Sequence, residues 1–157
     1  REVMRNSMRF TVFKGSKPEN ILHVLSEEIT FLHNSPEIET SFLILPAAMP
    51  NFRDFNDLIY AAESLTETLG WEGHYQLVGF HPQYQFVDTE PDDAENYTNR
   101  SPFPMLHILR ESSVSDAVAS THDAALIPQR NIAALVDLGT TALKARWRNC
   151  FKDPSAT

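Results

Sequence analysis

The sequence predicts an α/β domain that begins β-α-β-α-β, with a small mostly parallel sheet and further helices toward the C-terminus. Short apolar stretches alternate with longer segments of helical periodicity over the first half of the chain. Each helical segment is long enough to cross a sheet, which favours parallel pairing of successive strands. A ferredoxin-like α+β sandwich remains the alternative, because one additional antiparallel strand would change the topology.

Three segments have the composition of strands. Residues 8–13 (MRFTVF) are rich in aromatic and branched side chains, and residues 75–80 (YQLVGF) are similar. The continuous apolar run at residues 41–45 (SFLIL) predicts a strand near the centre of the sheet, covered on both faces. Residues 84–87 (YQFV) are the candidate for an additional antiparallel strand.

Two helices follow from apolar spacing and from their boundary residues. Ser16 and Glu19 predict a capping box for the first helix, whose apolar stripe continues to about His33. Asn51 is the predicted cap of the second helix, and Gly70 is suited to its C-terminal end.

Further helices are predicted in the C-terminal third. A third helix is expected from Met105 to about Ala119, with Ser101 as its cap. A fourth runs from Pro128 to about Leu138, and a break at Gly139 precedes another helical stretch, residues 140–147.

Length and composition indicate one globular domain. The chain has 157 residues, and its 42% hydrophobic content is sufficient for a hydrophobic core. We expect a single domain over residues 1–157, with a folded core at residues 8–147. Residues 1–7 and 152–157 are predicted to be loose.

Charge and cysteine content restrict the class of protein. The formal net charge of −8 and the absence of a basic stripe argue against nucleic acid or an anionic membrane as a partner. Cys150 is the only cysteine, so neither a disulfide framework nor a thiolate zinc site forms within this chain. These features predict a cytoplasmic protein with a small molecule as its candidate ligand. They predict no particular oligomeric state.

The central segment, residues 79–110, is where the sequence places binding or chemistry. Four of the ten prolines lie here, and five acidic residues accompany a single arginine before position 101. Polar loops of this kind carry function more often than the elements they connect. The segment follows the third predicted strand directly, at the edge where a parallel sheet binds ligands.

A divalent metal is the specific cofactor candidate. His81, Asp92 and Asp93 supply imidazole and carboxylate groups of the types that bind zinc, manganese or non-haem iron. None of the recognised metal-binding spacings is present, so the alternative is a solvated acidic turn whose side chains cap the backbone.

His81, His107 and Glu95 are the candidate catalytic residues. His107 is expected on the third helix with Arg110 and Glu111 on the same face, where a Glu/His pair could transfer protons near neutral pH. A surface ion-pair ladder explains this spacing equally well.

Further side chains of the central segment are candidates for holding a ligand. Arg100 could bind an anion, or it could pair with a carboxylate among Asp92, Asp93 and Glu95 and close the loop. Arg130 could reach back to the acidic loop from the fourth helix. The candidate substrate-binding residues are Tyr84, Gln85, Asn96, Asn99, Arg100 and Arg130.

Two motifs of the central segment resemble those of a known family. The first is Gly-Phe-His-Pro-x-Tyr-Gln-Phe at residues 79–86, followed by Asp92-Asp93. The second is Asn-x-Thr-Asn-Arg-Ser-Pro-Phe-Pro-x-Leu-His-x-Leu-Arg-Glu at residues 96–111. They are similar to the bacterial domain-of-unknown-function family 1415, and the resemblance covers roughly residues 8–145. The family's usual opening, near Gly-Leu-Asn-Leu-Cys-Pro-Phe, has no match here. The resemblance implies relatives and no established activity.

Two functional hypotheses follow. The first is a metal-dependent enzyme that acts on a small molecule through the polar loop of the central segment. The second is a non-catalytic binding or structural domain, in which the same loop is a hydrogen-bonded structural lock between strand and helix.

Overall fold

The computed structural model describes residues 7–120 and 123–152. Within these residues one four-stranded sheet is accompanied by helices. The strands are β1 (Met8–Val12), β2 (Thr40–Ile44), β3 (Tyr75–Phe80) and β4 (Met105–Arg110). The helices are α1 (Pro18–Asn34), α2 (Phe52–Thr68), α3 (Glu111–Ser120), α4 (Ile127–Leu138) and α5 (Thr140–Asn149), and Ala94–Thr98 and Ala124–Leu126 form short 3₁₀ turns.

The α/β class, the β-α-β-α-β start and the C-terminal helices are confirmed. The strand order is β1-β2-β4-β3, so β2 occupies the interior position that its apolar run predicts. β1 pairs parallel with β2, whereas β4 lies antiparallel between β2 and β3. Three strands therefore run in one direction and the fourth runs against them.

The prediction of a helix starting at Met105 is wrong, because residues 105–110 form β4. Leu106 and Ile108 are fully buried on one face, and His107 between them lies on the other, which is the alternation of a strand. The apolar positions of MLHILR fit both periods, and pairing with β2 and β3 on both edges decides for the strand. Residues 84–87, the predicted additional strand, form no strand.

The hydrophobic core lies between one face of the sheet and the helices α1 and α2. Each helix presents one apolar stripe, which confirms the spacing seen in the sequence. The sheet contributes alternate residues of its inner strands to the same layer. The fully buried members of this core are Ile21, Leu25, Ile29, Leu32, Leu43, Leu45, Phe55, Ala62, Leu106 and Ile108.

The helix boundaries confirm some predicted signals and correct others. Asn51 caps α2 by accepting a hydrogen bond from the Arg53 amide at 2.8 Å. Gly70 follows α2 with φ of +75°, the conformation that glycine permits at a helix end. The capping box at Ser16 is wrong, because Lys17 is the N-cap of α1 and makes no side-chain cap.

The predictions for Ser101, for Gly139 and for the two chain ends have different outcomes. Ser101 does not cap a helix; its hydroxyl donates to the Phe103 carbonyl at 2.5 Å. Gly139 separates α4 from α5 at φ of +78°, as the predicted break requires. The predicted loose ends fall mainly on residues 1–6 and 153–157, which lie outside the described residues.

Buried polar groups connect the helical layer to the sheet. The Glu28 carboxylate of α1 accepts from Arg9 at 2.9 Å and from Thr11 at 2.9 Å on β1, and from Ser41 on β2 at 2.8 Å. Burial opposes ionisation of Glu28, but these hydrogen bonds outweigh it and hold its pKa below the ordinary value. Arg110 of β4 donates to the carbonyls that follow the end of α1, including that of Ser35 at 3.0 Å.

The second face of the sheet carries a row of aromatic rings. Phe10, Phe42 and His107 lie on adjacent strands, with ring centroids 5.3 Å and 3.9 Å apart. Phe80 approaches His107 at 6.3 Å. The Phe10 side chain is 61% exposed, so this face is open to solvent at the β1 edge. Helices α4 and α5 contact the 3₁₀ turn Ala94–Thr98.

Candidate functional site

The loop lock, defined as residues 81–104, connects β3 to β4 and carries most of the predicted site residues. It contains turns and the 3₁₀ turn Ala94–Thr98, with no strand or α-helix. A loop of this length must satisfy its backbone groups without a regular ladder. Its own side chains supply many of these partners.

His81 is fully buried at the end of β3, and its ring uses both nitrogens on the backbone. Nε2 donates to the Met49 carbonyl at 2.9 Å, and Nδ1 accepts from the Gln83 amide at 3.0 Å. Burial lowers the pKa of His81, and the Met49 carbonyl only partly offsets this effect. His81 is therefore a neutral residue that joins the β2–α2 connection to the lock. In this arrangement neither nitrogen can coordinate a metal or accept a proton from a ligand.

Asn96 is the buried centre of the loop lock. Its Oδ1 accepts from the Phe86 amide at 2.9 Å, with the Thr89 hydroxyl at the same distance. Its Nδ2 donates to the Glu90 carbonyl at 2.7 Å. A fully buried amide with both ends bonded to backbone holds residues 86–90 against the 3₁₀ turn.

Asn99 attaches the loop lock to β3, and Arg100 bridges two segments within the loop. Asn99 Nδ2 donates to the Gly79 carbonyl at 3.1 Å, and the Asn99 carbonyl accepts from the His81 amide at 3.1 Å. Arg100 donates from Nε to the Tyr84 carbonyl at 3.1 Å and from Nη2 to the Pro91 carbonyl at 2.5 Å. Arg100 thus bridges carbonyl groups, and the predicted direct pairing with a loop carboxylate is wrong.

Asp92 and Asp93 of the loop lock bond to different partners. Asp92 pairs with Lys144 of α5 at 2.8 Å. Asp93 Oδ2 accepts from the Glu90 amide at 2.8 Å, as a turn-capping side chain does. Glu95 lies half-buried in the 3₁₀ turn, and its side chain forms no hydrogen bond or ion pair with the described residues. Among the described residues, no group of three or more His, Cys, Asp or Glu side chains is placed to hold a metal ion.

The structure separates His107 from the other candidate catalytic residues. His81 packs toward α2, 5.2 Å from the Phe55 ring, whereas His107 lies on the open face of the sheet. Burial lowers the pKa of His107 to about 4. Its predicted helix-face neighbours are elsewhere, because Arg110 points to the helical layer and Glu111 starts α3.

The remaining candidate ligand-binding residues have local partners. Tyr84 packs between Phe52 and Phe86, with ring centroids 5.0 Å away on each side, and burial raises its pKa. Gln85 Nε2 donates to the Thr89 carbonyl at 2.5 Å. Arg130 pairs with Asp123 at 3.6 Å, and among the described residues it forms no ion pair with a carboxylate of the acidic loop.

A cleft of about 250 Å³ lies between the loop lock and α5. Its lining consists of Pro82, Tyr97, Arg100, Lys144, Trp147 and Arg148. The α5 residues were not predicted as site residues. A detectable signal existed, because Lys144 and Arg148 stand four residues apart and share one helix face in a chain of charge −8.

The charges of the cleft are partly compensated at its rim. The Asp92 side chain is 77% exposed and bonded to Lys144. Lys144 lowers the pKa of Asp92 through this bond, and Arg100 adds a smaller effect in the same direction. A carboxylate at the rim is thus already stabilised by two of the lining cations.

No helix within residues 7–120 and 123–152 has the length and apolar content needed to cross a membrane. The arrangement defines a mixed α/β protein with an internally bonded loop between its last two strands. Residues 1–145 match the model of a family described as protein of unknown function (DUF1415), and the chain belongs to that family. Neither a curated protein nor a solved structure matches the chain.

Proposed function

We propose that this protein is a non-catalytic binding domain in which the loop lock is a structural element. The supporting observation is that the polar side chains of the loop bond to backbone groups. His81, Asn96 and Arg100 each join two backbone segments in this way. Side chains committed to such bonds hold a surface in place, whereas a catalytic group must be free to meet a substrate.

The geometry favours this proposal over a metal-dependent enzyme. A metal bound by His81, Asp92 and Asp93 would require the His81 ring to give up a backbone bond inside the core. It would also require Asp92 to leave Lys144 and Asp93 to leave the Glu90 amide. Each of these changes leaves a polar group without its partner.

Composition supports the proposed compartment and the proposed class of ligand. We propose one domain with a folded core at residues 8–147 that binds a small molecule in the bacterial cytoplasm. The net charge of −8 supports a partner other than nucleic acid or an anionic membrane. The single cysteine is in keeping with a reducing compartment.

Replacing Asn96 tests the structural role of the lock. In Asn96→Ala the Phe86 amide loses its acceptor, and the Glu90 carbonyl keeps only its bond from the Asp93 amide. The free energy of unfolding should fall by about 2–4 kcal/mol. Urea denaturation gives this value, and Asn131→Ala is the control because Asn131 is an exposed amide on α4. Equal stability of the two variants would contradict the proposal.

Metal addition tests the enzymatic alternative. Zinc, manganese or calcium added to the metal-free protein should leave its melting temperature unchanged. A stabilisation by one of these ions that His81→Ala abolishes would overturn the structural role of the lock. Elemental analysis of the purified protein provides a second measurement, and a stoichiometric metal would have the same meaning.

A further inference from the structure

The cleft between the loop lock and α5 combines positive charge with flat apolar surface. Arg100, Lys144 and Arg148 line it together with the rings of Tyr97 and Trp147. Three cations converge here although the chain as a whole has a net charge of −8. Convergent cations of this kind bind carboxylate or phosphate groups, and adjacent rings bind flat apolar bodies.

The partners of these cations leave binding capacity for an anion. Arg100 donates to the Tyr84 and Pro91 carbonyls, and its guanidinium lies 4.6 Å from the Tyr97 ring centre. Arg148 donates to the Lys144 carbonyl of its own helix. Within the described part of the chain, neither guanidinium pairs with a carboxylate. Only Lys144 does, through the exposed Asp92.

Trp147 provides an independent indication. Its indole Nε1 is buried and has no hydrogen-bond partner among the described residues. A buried donor without a partner costs about 1–3 kcal/mol, so such groups are rare in folded proteins. The ring that carries this N–H lines the cleft. The second candidate cleft, between the start of α1 and α2, has Asp54 and Asp57 in its lining and lacks convergent donors.

We propose that this cleft binds a small organic anion, with its oxyanion between Arg100, Lys144 and Arg148 and its flat apolar body against Tyr97 and Trp147. The proposal depends on the loop lock only in that the lock holds Arg100 and Tyr97. Trp147 and Arg148 lie beyond the matched range 1–145, so the family match covers only part of the cleft lining.

Benzoate is the probe, because it joins a carboxylate to a flat ring, and benzyl alcohol is its neutral counterpart. In a titration followed by NMR, the indole N–H signal of Trp147 should shift with benzoate and saturate at a dissociation constant on the order of 1 mM. The signal of Trp71 is the internal control, since Trp71 packs on the core side of the molecule. Benzyl alcohol should produce no saturable shift. Inorganic phosphate should compete with benzoate.

Two substitutions with opposite expected effects make the test specific. Arg148→Gln should weaken benzoate binding about tenfold, because it removes an exposed lining cation. Asp92→Asn should strengthen binding about threefold, because it releases Lys144 from its carboxylate. Arg146→Gln is the matched control on the same helix, and benzoate binding should not change because Arg146 does not line the cleft.

The outcomes separate this proposal from that of the loop lock. Absence of saturable benzoate binding would overturn the anion site, and so would equal weakening by Arg148→Gln and Arg146→Gln. Neither result would bear on the stability of Asn96→Ala. If Arg148→Gln weakens binding while its melting temperature stays unchanged, the effect comes from the cleft and not from the fold.

Discussion

At the scale of single residues, the hydrogen bonds of a histidine determine its chemistry. The Thr40 hydroxyl donates to the Ile108 carbonyl at 2.7 Å, so the contact of 2.6 Å between Thr40 Oγ1 and His107 Nε2 requires Nε2 to donate. This leaves Nδ1 of His107 as an acceptor. The ring stacks on Phe42, and its burial lowers its pKa and keeps it neutral.

His107 should make stability depend on pH in the acid range. Its folded pKa of about 4 lies below the ordinary value of 6.5, so the unfolded chain binds the proton more readily. The stability from this residue is fully present above pH 6.5 and is lost as the pH falls toward 4. We expect a loss of about 1–2 kcal/mol, after allowing for the partial exposure of the ring.

The measurement compares urea denaturation of the wild type and His107→Gln at pH 7.5, 5.5 and 4.5. The wild type should lose more stability than the variant over this range, since glutamine does not titrate. His81 has a pKa lowered in the same direction and contributes equally to both proteins, so its effect cancels in the difference. Parallel curves would contradict the neutral, half-buried state of His107.

At the scale of elements, the packing of β3 against α2 depends on Gly79. A Cβ at this position would overlap Ile59 Cδ1 and lie 3.0 Å from Phe55 Cε1. Phe55 is fully buried, so it has little room to move. The close approach also positions the Gly79 carbonyl, which accepts from Asn99 and anchors the loop lock.

Gly79→Ala should therefore lower the free energy of unfolding by about 1–3 kcal/mol, as overpacking of a core does. Chemical denaturation gives the value. Gln76→Ala is the control, because Gln76 lies on the same strand with its side chain exposed, and it should change stability by about 0.5 kcal/mol or less. If Gly79→Ala is as stable as this control, α2 can move away from the sheet and the tight packing is not required.

At the scale of the whole molecule, the Glu28 carboxylate joins three elements of the fold. It bonds Arg9 and Thr11 of β1 and Ser41 of β2 from its place on α1. The edge strand β1 has few apolar contacts with the core, since Phe10 and Val12 are exposed on the opposite face. This polar network therefore attaches β1 to α1 of the helical layer.

Glu28→Gln should destabilise the protein by about 1–3 kcal/mol near pH 7, because it leaves the Arg9 guanidinium without its carboxylate. This range is reduced because the Arg9 side chain is 37% exposed. The pKa of Glu28 is lowered in the folded state, so the wild-type advantage should be present above pH 4.5 and fall as the pH drops below it.

Glu27→Gln is the matched control, because Glu27 is the exposed neighbour of Glu28 and pairs only weakly with His23 at 3.5 Å. Its unfolding free energy should lie within about 0.5 kcal/mol of the wild type. A similar result for Glu28→Gln would show that β1 is held by other contacts.

Much of the fold is predictable because its signals are local. The apolar stripes of α1 and α2, the Asn51 cap and the strand at residues 75–80 each depend on neighbours in the sequence. The segment MLHILR is different, since its apolar positions satisfy both a helix and a strand. Its state depends on β2 and β3, which are distant in the chain.

The candidate site likewise has features that the sequence predicts and features that depend on residues distant in the chain. By itself, the sequence determined the class of fold, the family and the polar segment in which the lock lies, because composition and motif are properties of consecutive residues. Only the tertiary structure decided what those residues do. It turned His81 inward onto the Met49 carbonyl, placed His107 on the opposite face, and brought Arg100 beside Lys144 and Arg148. Such contacts join residues far apart in sequence, and their partners become known only when the chain is folded.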